Sequence, residues 1–570
     1  MNEKDYKFSD LVYVRPDYTA IQNRINELTE QIKEAKEYKT IRDVILKSNE
    51  IQIEQSYAEN VACIRMYQDC TNTFYEEESL KNSEEATYLD WNKLSKALID
   101  SPFVGQIEEE FGVQYITLLK NKIQLFEEGK DLIVKSQALE MKYQQLKASL
   151  KFEIDGKVVG EAELLKYYES LNREQRKKAV EERYKVYINH KDEFEDILNQ
   201  LVDLRIEIAK ANGFDSYLDY MNLEKGRVGY GEKELTGFCD QVKEVLVPFC
   251  TKLNEAKKRR LGLTELKIYD NSILFADGNP EPKGSNKELF EAARKMYHEL
   301  SKEAGEFFDL MLAHEMIDAE PSQNKVAGMG FCADIAKIKM PFVFGNFNGT
   351  ISDVTVLTHE IGHAFQMYAS MQKQSLIQYN VAVNDMAEVP SKTMEQFAYP
   401  FAEYFFGEDA DKFRFMHLSN VMEEICSYCM IHEYETYLYN TPEATSKERA
   451  LEYANVYKRY MPDYDFGELE DYIEQGAMLY GNMGIYMFPR YLISYSLSNM
   501  CALEFKQKMI ENPKEAWEDY SKLCSAGGSL GYPELLHTAG LSLAYEEGVV
   551  TRVTKRAQEI LEEYMEKELI

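Results

Sequence analysis

Apolar residues recur at intervals of three and four from about Tyr18 to Leu150, and again from about Glu161 to Lys258, with charged residues in the positions between. That spacing lines them along one face of a 3.6-residue helix, so each stretch must bury its stripe against another helix. A chain written this way is expected to be mainly α. Of its 570 residues 45% are hydrophobic and 12% aromatic, with only 14 Pro and 29 Gly, which supplies a large core and excludes disorder or a collagen-like fold for the whole chain.

Charge narrows the partners. With 66 Lys+Arg against 98 Asp+Glu the net charge is -32, a field that repels phosphate backbones and anionic lipid. The densest basic run, Lys257-Lys258-Arg259-Arg260, reads as a solvated helix face. Neither nucleic acid nor membrane is therefore expected as a partner, and the sequence carries no signal for an oligomeric state. No stretch approaches the roughly 18 apolar residues of a membrane span, and the first residues lack the apolar core of an export signal. Nine cysteines, odd in number and widely spread, do not make a secreted disulfide framework. A reducing cytoplasm is the expected location.

Three breaks interrupt the helical pattern. Phe152 to Val159 carries Asp155-Gly156 between two short apolar runs, which predicts a hairpin with a type I′ turn and a lobe boundary. Tyr269 to Asn286 gathers Asp, Asn, Gly and Pro before periodicity resumes. The run Lys339 to Phe347 suits a strand, so a small sheet is expected there, and its segment Phe344 to Phe347, with Gly345 and Asn346, is a candidate to bind an extended peptide as an added strand. Ser352 or Asp353 can then cap a helix whose apolar residues Val354, Leu357, Ile361, Phe365 and Tyr368 follow at helical spacing.

That helix contains His359-Glu360-Ile361-Gly362-His363. Histidines at i and i+4 share one face, close enough for both imidazoles to hold one zinc ion. Glu360 beside them is placed to take a proton from an attacking water and pass it to a leaving amine, the acid-base work of a metallopeptidase. A catalytic zinc takes three protein ligands, and no histidine follows until His417, so the third should be a carboxylate. Asp385, Glu388 and Glu395 all qualify by spacing, with Pro390 marking a kink or a helix start. Two other groupings are weaker. Cys426, Cys429 and His432 spread around their helix, and the Gly-rich Ala526 to Gly531 lacks the Lys-Ser/Thr of a phosphate loop.

These motifs resemble the thimet oligopeptidase and oligoendopeptidase F family of zinc metallopeptidases. In that family the His-Glu-x-x-His helix is followed about 25 residues later by Glu-x-Pro-Ser, which Glu388-Val389-Pro390-Ser391 matches. Pro341 to Thr350, Glu433 to Pro442, Cys501 to Phe505, Ala526 to Ser529 and Glu534 to Leu541 resemble further family blocks, over about Asp196 to Gly548. The resemblance implies that Glu388 is the third zinc ligand. It also implies an elongated two-lobed helical fold with a small sheet beside the zinc helix and a deep substrate channel, and a zinc endopeptidase of short oligopeptides. The matching division is an N-terminal helical lobe over 1–195 and a catalytic domain over 196–570. One departure stands out. Where the family has a histidine that helps bind substrate and the oxyanion, this chain has Gly484, in Gly484 to Tyr495. Tyr491 and Tyr495 then become the candidate oxyanion donors and Tyr486 a substrate-binding residue. Loss of the histidine also allows a second expectation, a zinc-retaining peptide-binding protein with weak turnover.

Overall fold

The structure is a computed structural model that describes residues 6–126, 128–326 and 330–566. It is mainly α, as the periodicity requires, with helices as long as the 31 residues of Tyr38–Gln68 and Ala410–Asn440. Two compact units divide the chain. One comprises Met1–Glu127, Glu281–Gly407 and Glu504–Leu541; the other comprises Glu128–Pro280, Glu408–Leu503 and Ser542–Ile570. Each unit is thus assembled from three separated segments. Position 195 lies inside helix Lys191–Ala211 of the second unit, and one crossing between units, at 280–281, falls in the break predicted after Tyr269.

The predicted hairpin forms within the second unit, where Phe152–Ile154 pairs antiparallel with Lys157–Val159. Its turn has φ of 50° at Asp155 and 74° at Gly156, the left-handed pair that a type I′ turn demands. It does not mark the edge of a unit.

The small sheet belongs to the first unit and has three strands. Met340–Phe344 is central, with Ile317–Asp318 parallel on one side and Phe331–Ile335 antiparallel on the other. All five residues of the central strand are buried. This placement corrects the expectation at Phe344, which pairs with Asp318 on one edge of the strand and with Phe331 on the other; Gly345 to Phe347 lie beyond the strand. Gly345 donates its N–H to the Asp318 carbonyl at 2.8 Å, and its own carbonyl accepts from Lys325 Nζ at 3.2 Å. Asn346 bonds with its side chain to Ser322 and to the Val326 carbonyl. Both predicted substrate residues instead fasten the segment that links strand Ile317–Asp318 to strand Phe331–Ile335.

Helix Ile351–Lys373 packs on this sheet and on helices Val389–Ala398 and Pro513–Ala526 of the same unit. Thr350, rather than Ser352 or Asp353, occupies its N-cap. Asp353 works from inside the first turn, where its carboxylate accepts the N–H groups of Asn348 and Gly349, the latter at 2.7 Å. A carboxylate there closes the turn leading into the helix and meets the positive end of the helix dipole.

Candidate metal centre

One helical turn separates His359 from His363, and their Nε2 atoms lie 3.2 Å apart. The Oε2 atom of Glu388 lies 3.2 Å from the first and 3.1 Å from the second. Three donor atoms from two helices therefore converge on one point. Among the described residues this is the one grouping of three or more His, Cys, Asp or Glu that converges in this way. Asp385, fully buried, is outside it.

Close backbone approach makes the convergence feasible. Glu388 immediately precedes helix Val389–Ala398, whose Pro390 sits in the first turn, where a missing N–H costs nothing. A methyl group at Gly362 would stand 2.6 Å from both the Pro390 carbonyl and Ser391 Cα. Glycine between the two histidines thus admits the second helix to the distance its carboxylate needs. Ser391 Oγ then donates to Glu388 Oε2 at 3.0 Å, which fixes the carboxylate.

Glu395, weighed above as a ligand, lies one layer out. Its Oε1 accepts from Nδ1 of His359 at 2.7 Å, with Lys392 Nζ 3.4 Å away. That bond places the proton of His359 on Nδ1 and turns Nε2, as an acceptor, toward the convergence point.

The electrostatics ask for a cation at that point. Burial disfavours charge on His359, but Glu388 and Glu395 outweigh it and push the imidazole up to about 10. Burial likewise opposes the Glu388 carboxylate, and the histidines hold it well below its ordinary range. Two imidazole nitrogens 3.2 Å apart cannot both carry a proton toward each other, whereas two nitrogens and a carboxylate oxygen are a donor set that suits zinc and leaves a position open. The residues present fit that ion.

Glu360 is 6% exposed, and its Oε2 is buried and has no hydrogen-bond partner among the described residues. Burial raises its carboxyl above the ordinary value against the lowering effect of the two histidines. A methyl group at Gly330 would lie 3.2 Å from Glu360 Oε1, so the lead-in to strand Phe331–Ile335 runs alongside this carboxylate. An unpartnered buried oxygen next to a metal donor set can accept a proton from a water there.

The remaining predicted residues lie in the second unit. Tyr486 is fully buried, stacked on Tyr143 with centroids 4.0 Å apart, and its hydroxyl donates to the Phe194 carbonyl at 3.3 Å. It is a core residue, which corrects the substrate-binding expectation: no face of the ring is accessible. Tyr491 and Tyr495 are half-buried and meet edge-on at 5.6 Å, with Lys225 Nζ 5.5 Å from the Tyr491 centroid. At Gly484 a methyl group would stand 2.3 Å from Leu492 Cδ1, so Leu492 fills the room a larger residue would need. Cys426 lies 3.9 Å from Cys250 and His432 Nε2 is 3.0 Å from Arg490, so these side chains face different neighbours.

Comparison with known proteins bears on this geometry. Residues 166–553 match the model of peptidase family M3 and residues 8–126 match the peptidase M3 N-terminal domain. The oligoendopeptidase F homolog of Borreliella burgdorferi is 25% identical over 387 residues, which cover 65% of this chain and 62% of that protein. Oligopeptidase PepF of Bacillus subtilis is 22% identical over 401 residues, 69% of this chain and 58% of that one. The chain thus spans about three fifths of the length of these curated relatives. The solved structure of PZ peptidase A with inhibitor 2 superposes with a TM-score of 0.91 at 33% identity, covering 98% of this chain and 99% of that one.

Proposed function

The chain belongs to peptidase family M3, and from that premise we propose that it is a zinc-dependent endopeptidase hydrolysing short oligopeptides. The observation that carries this reading is the convergence of His359, His363 and Glu388 beside the unpartnered oxygen of Glu360.

Zinc held by those three residues would supply a Lewis acid that acidifies water and polarises a scissile carbonyl. Glu360 accepts the proton of the attacking water at Oε2 and releases it to the departing amine, a task suited to a carboxyl whose pKa burial has raised. Glu395 keeps His359 in one tautomer and one orientation. The Tyr491 and Tyr495 hydroxyls are assigned as donors to the oxyanion. For the substrate backbone the supported element is strand Phe331–Ile335, since among the described residues no strand pairs with its second edge. Its lead-in at Gly330 lies beside Glu360, and an extended peptide added there would engage main chain more than side chain, a sequence-tolerant mode. Oligopeptides are accordingly the assigned partners and the cytoplasm the assigned location. Among the described residues no helix is long and apolar enough to cross a membrane.

The test is elemental analysis for zinc together with cleavage of a mixed pool of short peptides by the parent and by Glu360→Ala. One zinc per chain in both, with hydrolysis only in the parent, is the expected result. Hydrolysis at the parent rate by Glu360→Ala would remove the role given to Glu360.

A second reading, a zinc-retaining peptide-binding protein of weak turnover, draws on Gly484 and its contact with Leu492. Because Leu492 occupies the space, Gly484→His is best paired with Leu492→Ala. A large gain in turnover at unchanged zinc would favour this reading, and no gain would favour the tyrosines as sufficient donors.

A further inference from the structure

Helix Ile351–Lys373, which carries the histidines, packs on helix Val389–Ala398, which follows Glu388, and on helix Pro513–Ala526, all within the first unit. The last of these gives no donor atom to the convergence point. Its Tyr520 nevertheless touches both of the others. The fully buried ring lies nearly parallel to that of Phe365 on the histidine helix, with centroids 5.7 Å apart, and meets Phe397 of helix Val389–Ala398 edge-on at 5.3 Å. The Tyr520 hydroxyl donates to the Pro390 carbonyl at 3.0 Å.

That carbonyl occupies a sensitive place. It belongs to the residue two positions after Glu388, and it is one of the two atoms that a methyl group at Gly362 would meet at 2.6 Å. Gly362 thus lets the two helices close, and Tyr520 ties down the same carbonyl from a third. The third helix is itself anchored. Trp517 Nε1 and Ser521 Oγ both donate to Glu303 Oε2 at 3.0 Å, which fastens it to helix Lys302–Ala313, and Phe307 of that helix meets Phe365 edge-on at 5.5 Å.

Packing alone does not call for the hydroxyl. A phenylalanine ring would fill the same space among Phe365, Phe397, Phe505 and Trp517, whereas a phenol brings a polar atom into an apolar core at a cost that its hydrogen bond offsets. What the bond supplies is position. Fixing the Pro390 carbonyl fixes the first turn of its helix and, with it, the N-cap residue Glu388, whose Oε2 stands 3.2 and 3.1 Å from the two imidazole nitrogens. Donors held at their spacing beforehand lose less freedom when a cation enters, so the rigidity of their supports appears as metal affinity. We propose that Tyr520 is a positioning residue for the metal centre, holding Glu388 at ligand distance from His359 and His363 through its bond to the Pro390 carbonyl. The inference rests on the reading of that centre as a zinc site made under the proposed function.

The experiment is a mutant cycle in the whole chain, stripped of metal and titrated with zinc against a chromophoric chelator, so that the readout is a dissociation constant instead of turnover. Tyr520→Phe keeps the ring and deletes the bond, and it is expected to weaken zinc binding about 10-fold while the urea midpoint of the metal-free chain moves little. Glu388→Ala, which leaves the histidine pair, is expected to weaken binding about 100-fold or more. In that background Tyr520→Phe should cost nothing further, because the carboxylate it positions is gone. A zinc affinity of Tyr520→Phe within about twofold of the parent overturns the inference and leaves the zinc site standing. Equal losses in both backgrounds also overturn it, since Tyr520 would then act on the histidine helix or on the core at large. A parent that binds no zinc overturns the reading of the centre, and the inference with it. Should Tyr520→Phe fail to fold, Trp517→Phe removes one of the two bonds that anchor the same helix to Glu303, and it carries the same expectation of a loss confined to the chain that retains Glu388.

Discussion

His359, His363, Glu388 and Glu395 are drawn from positions at most 36 apart, whereas the buried Arg490 before Tyr491 is held by Glu232 from 258 positions away and the Ile485 carbonyl by Arg205 from 280 positions away. The first arrangement follows from helix geometry. Two histidines one turn apart face the same way, and Glu388 presents its carboxylate from the N-cap of the neighbouring helix Val389–Ala398. The second arrangement has no local rule behind it, because its parts come from helices far apart in sequence. Chemistry that needs a metal can be written in a few adjacent letters; a backbone held by buried charge must be assembled by the whole unit.

The contrast is broken most directly at Glu360. Glu360→Gln removes the proton acceptor but keeps the shape of the side chain, and kcat is expected to fall about 100- to 10,000-fold with one zinc per chain retained. Elemental analysis beside steady-state kinetics checks both halves. Loss of zinc along with activity would mean that this residue builds the centre instead of working beside it.

Buried charge should leave a pH signature on the second arrangement. Burial first, opposed by Arg490, Arg205 and Arg227, pushes Glu435 up to about 7. The folded chain therefore holds this proton between about pH 4.5 and 7 while the unfolded chain has released it. Its contribution to stability is fully present below about pH 4.5 and is lost as pH rises through 7. Glu435→Gln keeps an oxygen for the Arg490 N–H without the charge. It is expected to be the more stable chain at pH 8, by about 3 kcal/mol at most, and to converge with the parent as pH falls to 5. Thermal unfolding of the pair across that range is the measurement, and a constant difference would show that Glu435 does not titrate there.

A smaller effect is expected one layer out from the metal. Glu395→Gln leaves an acceptor for His359 Nδ1 but removes the charge behind it, so zinc affinity or activity should fall about 10- to 100-fold. Competition with a chelator reads the affinity. An unchanged affinity and rate would make the bond incidental.

Legibility in the sequence followed the same divide. The mainly helical fold, the hairpin at Asp155-Gly156, the strand from Met340 and the histidine pair all rest on spacing within a few residues. Spacing could not choose among Asp385, Glu388 and Glu395, because the choice depends on how closely two helices pass, and Gly362 sets that distance. The peptide-binding expectation for Gly345 and Asn346 failed for a related reason. Composition marks a strand but not where it ends or which groups beyond it are already taken, and here Gly345 bonds to Asp318 and Lys325 and Asn346 to Ser322 and Val326. Arg490 gave no signal at all, since an arginine after a proline says nothing of Glu232.

The smallest expected effect tests the correction at Tyr486. Tyr486→Phe deletes one hydroxyl that donates to the Phe194 carbonyl at 3.3 Å and leaves the stack on Tyr143 intact. A single buried hydrogen bond of that length is worth about 1 kcal/mol or less, so a small drop in unfolding free energy by urea titration is expected. Turnover and KM should not move, because a ring enclosed on all sides reaches neither substrate nor oxyanion. The same substitution at Tyr491 carries the opposite expectation, with kcat falling and stability little changed. If Tyr486→Phe lowered kcat tenfold while unfolding stayed put, the ring would have to leave its core during turnover, and the turn before Tyr491 would be moving where the contacts of Arg490 with Glu232 argue that it is held.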